Sequence, residues 1–150
     1  MEKEKEIQAF VENFSLIKAC VGWSAEEFAK HVGTTRQTIN NVENKKYKMS
    51  VILYNAMRYA LDDEIRTHPE DTKMLQIFLD AFVDNPNDFE KYSKEQRDEI
   101  MQKTRLLSPA IQSKTISRKE VSTAWVGLVG AAVVAGAIAT ITLGAWKNRK

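Results

Sequence analysis

A chain of 150 residues has room for one ordinary hydrophobic core and an appendage, but not for two full-sized cores. Its single cysteine, Cys20, rules out an intrachain disulfide and a cysteine-cluster zinc site, and agrees with a reducing cytoplasm. The formal net charge of +2 hides a segregation into blocks: residues 1–61 carry nine Lys/Arg against seven Asp/Glu, residues 62–100 five against twelve, and residues 101–150 eight against one.

Charged residues open the chain. Ile7, Phe10, Val11, Phe14, Ile17 and Val21 then recur at steps of three or four, which predicts an amphipathic helix. No basic start leads into an apolar stretch with a small-residue cleavage site, so no secretory signal is expected. Ser24-x-x-Glu27 has the spacing of a capping box and predicts a short helix to about Val32, ended by Gly33. Thr34 or Thr35 caps the next helix, which runs through Glu43 and is closed by Asn44 and Lys45. Ser50 caps a longer helix, VILYNAMRYALDDEI.

Thr67-His-Pro-Glu70 repeats the cap pattern and opens a helix bearing Met74, Leu75, Phe78, Leu79 and Phe82, stopped by Asn85-Pro86-Asn87. Ser93-x-x-Gln96 begins another, with Ile100, Met101 and Leu106. These two helices cover the earlier ones, form a dimer interface or take a ligand; covering the core is the preferred reading. From Ser108 to Ser122 the chain turns polar, with Pro109, Lys114, Arg118 and Lys119, and reads as a tether. Fully extended, it would reach roughly 50 Å.

Between Glu26 and Val42 the spacing is specific. Ala29 supplies a small residue where two short helices cross, Gly33 follows four residues on for a tight turn, and Ile39 and Val42 bury one face of the second helix. The other face reads Thr35, Arg36, Gln37, Asn40 and Asn41. Arginine can pair with guanine through two hydrogen bonds, and glutamine or asparagine with adenine, so these are candidate base contacts. Lys45, Lys46 and Lys48 follow, and with Arg36 and Arg58 against Glu43 they give a local net charge of +4 over residues 32–60, suited to phosphate. Candidate backbone contacts are Ser24, Thr34, Asn44, Lys45, Lys46 and Lys48. His31 and His68 have no partner at ligand spacing, and no nucleophile–base pair or phosphate loop can be named. No metal, cofactor or catalytic residue is therefore assigned.

The stretch FSLIKACVGWSAEEFAKHVGTTRQTINNVENKKYKMSVILYNAMRYAL resembles the phage-repressor/Cro (XRE) type of helix-turn-helix domain over residues 13–61. The resemblance implies a bundle of four or five helices that binds double-stranded DNA as a dimer. It places TTRQTINN in the major groove, with base contacts from Thr35, Arg36, Gln37 and Asn41, and Asn44 and the following lysines near the backbone. Ala25 departs from the glutamine frequent at its position, which removes one contact from the first motif helix. Lys45 stands where glycine commonly follows the Glu-Asn pair, so Asn44 or Lys45 must take the left-handed conformation.

From Val121 to Trp146 there are 26 residues without a charge. As a helix, the stretch from Trp125 to Trp146 would span about 33 Å, close to the hydrocarbon thickness of a bilayer. Trp125 and Trp146 stand where an aromatic belt meets the two lipid interfaces, and Lys147, Arg149 and Lys150 mark the outer limit. Small residues at steps of four, such as Gly127, Ala131, Ala135 and Ala139, would let two such spans approach closely.

The chain is therefore expected to be all-α. A repressor-like helix-turn-helix bundle occupies residues 1–66, a helical extension 67–107, a polar basic linker 108–122, a single transmembrane helix 123–146 and a basic tail 147–150. The expected function is a sequence-specific transcriptional regulator, homodimeric, held at the cell membrane by one span with its N-terminal domain in the cytoplasm; its partners are double-stranded DNA and membrane lipid. The alternative is a membrane-bound scaffold that uses the same fold to dock a protein, and a pore built from the glycine-rich span is a third possibility.

Overall fold

Residues 2–45 and 48–130 are described by the computed structural model, and among them the chain forms eight α-helices and no strand. The amphipathic start divides in two. Helix α1 (Glu2–Glu12) and α2 (Phe14–Val21) meet at Asn13, whose side-chain amide donates to the Ala9 carbonyl at 2.9 Å and so competes with the regular helical backbone. Gly22, at φ 78°, closes α2. Helices α3 (Ala25–Val32) and α4 (Arg36–Glu43) follow, and α5 (Val51–Thr67) starts at Ser50, whose hydroxyl accepts from the Leu53 amide at 3.1 Å.

The second half departs from expectation at two places. Thr67 does not cap the next helix: it is the last residue of α5, and its hydroxyl donates back to the Asp63 carbonyl at 2.9 Å. A 3-10 turn, Glu70–Thr72, leads instead into α6 (Lys73–Leu79), which widens into a π-helical turn over Asp80–Asp84. The Ser93–Gln96 capping box forms as read and starts α7 (Lys94–Gln112). That helix continues through Pro109 into the segment expected to be a linker, and α8 (Arg118–Val129) begins after a connection of five residues, 113–117.

Residues 108–122 are thus not an extended tether. They form the end of α7, a short corner and the start of α8, in which Val121 and Ser122 are buried. Trp125, expected at a lipid interface, has 0% exposure, and its indole N–H donates to Thr104 Oγ1 at 3.1 Å. No helix among the described residues is long and apolar enough to cross a membrane. Residues 131–150, with Trp146 and most of the expected span, lie outside the described residues.

One connected apolar cluster draws on every helix, from Ile7 and Phe10 through Phe14, Phe28, Ile39, Tyr54 and Phe78 to Ile111, Val121 and Trp125. Helix α7 packs along α2, and α8 packs along α7 and the 3-10 turn. Of the readings left open for the extension, its helices complete the core. The acidic middle block meets basic residues from its neighbours: Arg58 makes a two-pronged pair with Asp84 at 2.7 and 3.0 Å, and Arg118 bonds Glu64 at 2.6 Å. Asp80 accepts from the Tyr92 hydroxyl and pairs with Lys91, both at 2.6 Å.

Candidate nucleic-acid interface

The α3–α4 pair is built from local chemistry. The Ser24 hydroxyl accepts from the Glu27 amide at 3.1 Å, and the Glu27 carboxylate accepts from the Ser24 amide at 2.8 Å, so two donors at the helix start are satisfied reciprocally. That backbone bond is the main reason the Glu27 carboxyl lies below its ordinary pKa; Lys114 adds to the effect. Phe28 and Ala29 are buried, and the amides of Gly33 and Thr34 both donate to the Ala29 carbonyl, at 2.8 and 3.0 Å. Gly33 has φ 86° and open space around the position of a Cβ, so glycine is required there by conformation rather than by crowding.

Thr35 caps α4, its hydroxyl accepting from the Thr38 amide at 3.1 Å. Ile39 and Val42 are sealed in the core, at 0% and 1% exposure, and this fixes which side of the short helix faces out. Thr35, Arg36 and Gln37 are exposed, and Asn40 and Asn41 are half-buried beside them. The Gln37 amide donates to the Asn41 side-chain oxygen at 2.9 Å. A single-turn pair of this kind contributes only about 0.2–0.5 kcal/mol, so both groups can exchange it for other partners at little cost. The far end of α4 is tied to α2, with Lys18 3.7 Å from Glu43 and the Ser15 hydroxyl donating to the same carboxylate at 3.3 Å.

The candidate backbone contacts are placed unevenly. Lys45 and Lys48 are exposed, and Asn44 is exposed with its amide donating to the Asn40 carbonyl at 2.9 Å. The left-handed residue is Lys45, at φ 57°, while Asn44 stays at φ −87°. Thr34 is half-buried, and both polar groups of Ser24 are engaged in the capping box. Lys46 lies outside the described residues. Arg58, counted in sequence with this basic cluster, is not part of the surface: it is 4% exposed and lies among Tyr54, Asp62 and Asp84.

Sequence reasoning missed one cation beside the motif. Lys114, from the corner between α7 and α8, donates to the Gly22 carbonyl at 3.0 Å and lies 3.4 Å from Glu27. No local signal marks it, because its partners are some ninety residues away in the chain. His31 stacks flat on Trp23, with ring centroids 3.9 Å apart. Burial drives the Cys20 thiol upward in pKa, which leaves it a protonated, inert core residue.

No family model, curated protein or solved structure matches the chain. Among the described residues, no group of three or more His, Cys, Asp or Glu is arranged to hold a metal ion.

Proposed function

We propose that this chain is a membrane-anchored, sequence-specific DNA-binding regulator of the phage-repressor/Cro (XRE) type, which reads the major groove with α4 and acts as a homodimer without catalytic chemistry or a cofactor. One observation carries the reading. Arg36, Gln37 and Asn41 share a face of a helix whose opposite face is locked by Ile39 and Val42, so the polar side chains project from a fixed platform. Such a platform serves base recognition, because direct readout needs donors and acceptors held in register with base edges. The exposed cations Lys45 and Lys48 stand at the end of the same helix, where phosphates flank the groove.

Membrane attachment rests on the residues past α8. Seventeen uncharged residues, Gly130 to Trp146, precede Lys147, Arg149 and Lys150. As a helix they would reach about 26 Å, near the short end of the range that spans a bilayer. With α8 docked on the domain, the helix-turn-helix would ride close to the cytoplasmic lipid surface rather than on a long leash.

The competing reading is a membrane-bound scaffold that docks a protein through the same face. It is favoured by the small number of cations there once Arg58 is placed in the interior. The two separate on the variant R36A/Q37A. A DNA reader loses its selected duplex in a gel-shift assay while its melting temperature stays within about 2 °C of wild type. Wild-type protein that binds no duplex at low salt would exclude the DNA reading.

A further inference from the structure

We propose that Lys114, at the corner between α7 and α8, contacts the DNA backbone, so that the C-terminal helices complete the nucleic-acid surface as well as the core. This inference rests on the DNA-binding reading and adds to it one residue and the phosphate that residue meets.

The corner is pinned to the turn between α2 and α3 by three side chains. Ile111 approaches so closely that a Cβ on Gly22 would sit 2.7 Å from its Cγ2. Lys114 Nζ donates to the Gly22 carbonyl at 3.0 Å, and Arg118 donates to the Val21 carbonyl at 2.9 Å while bonding Glu64 at 2.6 Å. Lys114 itself holds a left-handed backbone, φ 59°, a conformation that a non-glycine residue keeps only where its surroundings fix it. The corner is therefore a fixed platform and not a floating loop.

What the ammonium faces gives it a task. Helix α3 has eight residues and rises about 12 Å, a length comparable to the ~12 Å width of the major groove. With α4 in the groove, α3, which packs directly against it, would cross the flanking phosphate strand as the first helix of a helix-turn-helix does, and the carboxylate of Glu27 in its first turn would repel that strand. Lys114 lies 3.4 Å from Glu27 and offsets this charge. Its side chain is 62% exposed, and with Gly22 and Glu27 both engaged one ammonium hydrogen remains for a phosphate oxygen. A lipid headgroup offers similar chemistry, but Lys114 precedes the twelve-residue α8, whose far end lies about 18 Å further along the chain toward the apolar run.

The test uses the full-length chain in detergent and a duplex selected by the wild type, titrated between 50 and 200 mM salt. K114Q is expected to weaken binding several-fold at low salt, equally on selected and random duplexes, and to make the slope of log K against log salt shallower by about 0.9. K114R retains wild-type behaviour. E27Q, which preserves the capping box, recovers much of the loss when added to K114Q. Unchanged affinity and slope in K114Q, while R36A abolishes selected binding, would overturn this inference and leave the DNA reading standing. A loss of affinity at unchanged slope would make Lys114 a structural clamp and also overturn it. So would a K114Q protein that binds DNA normally but leaves phosphatidylglycerol vesicles. Absence of any duplex binding by the wild type removes the parent reading and this one together.

Discussion

Truncating Trp125 to alanine distinguishes a residue of the protein core from one at a lipid interface. The indole is fully enclosed, and its N–H meets Thr104 Oγ1 at 3.1 Å, with Thr104 itself at 0% exposure. Replacing a buried tryptophan by alanine costs about 3–5 kcal/mol. At roughly 2–4 °C per kcal/mol for a chain of this size, the melting midpoint falls by about 10 °C. The assay is a circular-dichroism melt of full-length protein in detergent, with W125F, T104V and W125F/T104V beside W125A. Each single conservative change strands one buried polar group and costs about 1–3 kcal/mol, whereas the double change removes both partners and recovers part of that loss. A tryptophan resting at a lipid interface would leave the melt untouched. A W125A midpoint within about 2 °C of wild type would therefore refute the docking of α8.

Glycine substitutions separate crowding from conformation. G22A meets both a φ of 78° and the Ile111 methyl, and should lower stability by about 2–4 kcal/mol in denaturant titration, whereas G33A, with open space, should lose only about 1 kcal/mol; equal losses would contradict this. Cys20 should react with a thiol reagent only as fast as the native fold opens, so prompt labelling of the folded chain would place it wrongly. Glu27 has a folded pKa below its ordinary 4.5, so its contribution is present at neutral pH and disappears as the pH falls through that lowered value. E27Q should flatten the acid limb of the stability curve, and parallel limbs for the two proteins would argue against the shift.

Helix starts were legible because their chemistry is local. Ser24, Thr35, Ser50 and Ser93 each accept from an amide three residues on, and that spacing can be read without knowing the fold. The inner face of α4 was legible for the same reason, since Ile39 and Val42 are three residues apart on one short helix. Thr67 obeyed the same spacing and yet ends a helix. Its hydroxyl had a competing acceptor in the Asp63 carbonyl one turn back, and Pro69 turns the chain into a 3-10 geometry. The interior position of Arg58 depends on Asp84, 26 residues away, so the charge count near α4 overstated the cations available at the surface.

The C-terminal boundary was misplaced because two signals overlap. Counting uncharged residues from Val121 merges α8 with the apolar run behind it, although Ser117 caps α8 through the Glu120 amide at 3.2 Å just as Ser24 caps α3. Within α8, Val121 and Trp125 share a buried face while Thr123, Ala124 and Gly127 are exposed, a helical periodicity that a mean over 26 residues erases. Hydrophobicity averaged over a long window identifies what avoids water, and a protein core satisfies that demand as well as lipid does. The polar residues between Ser108 and Ser122 obscured the boundary further, since Arg118 is held by Val21, Glu64 and Asp71, partners that only the fold brings near. The mechanical consequence is that the start of the apolar run moves to Gly130. Its separation from α4 is then set by packed helices and not by the length of a chain.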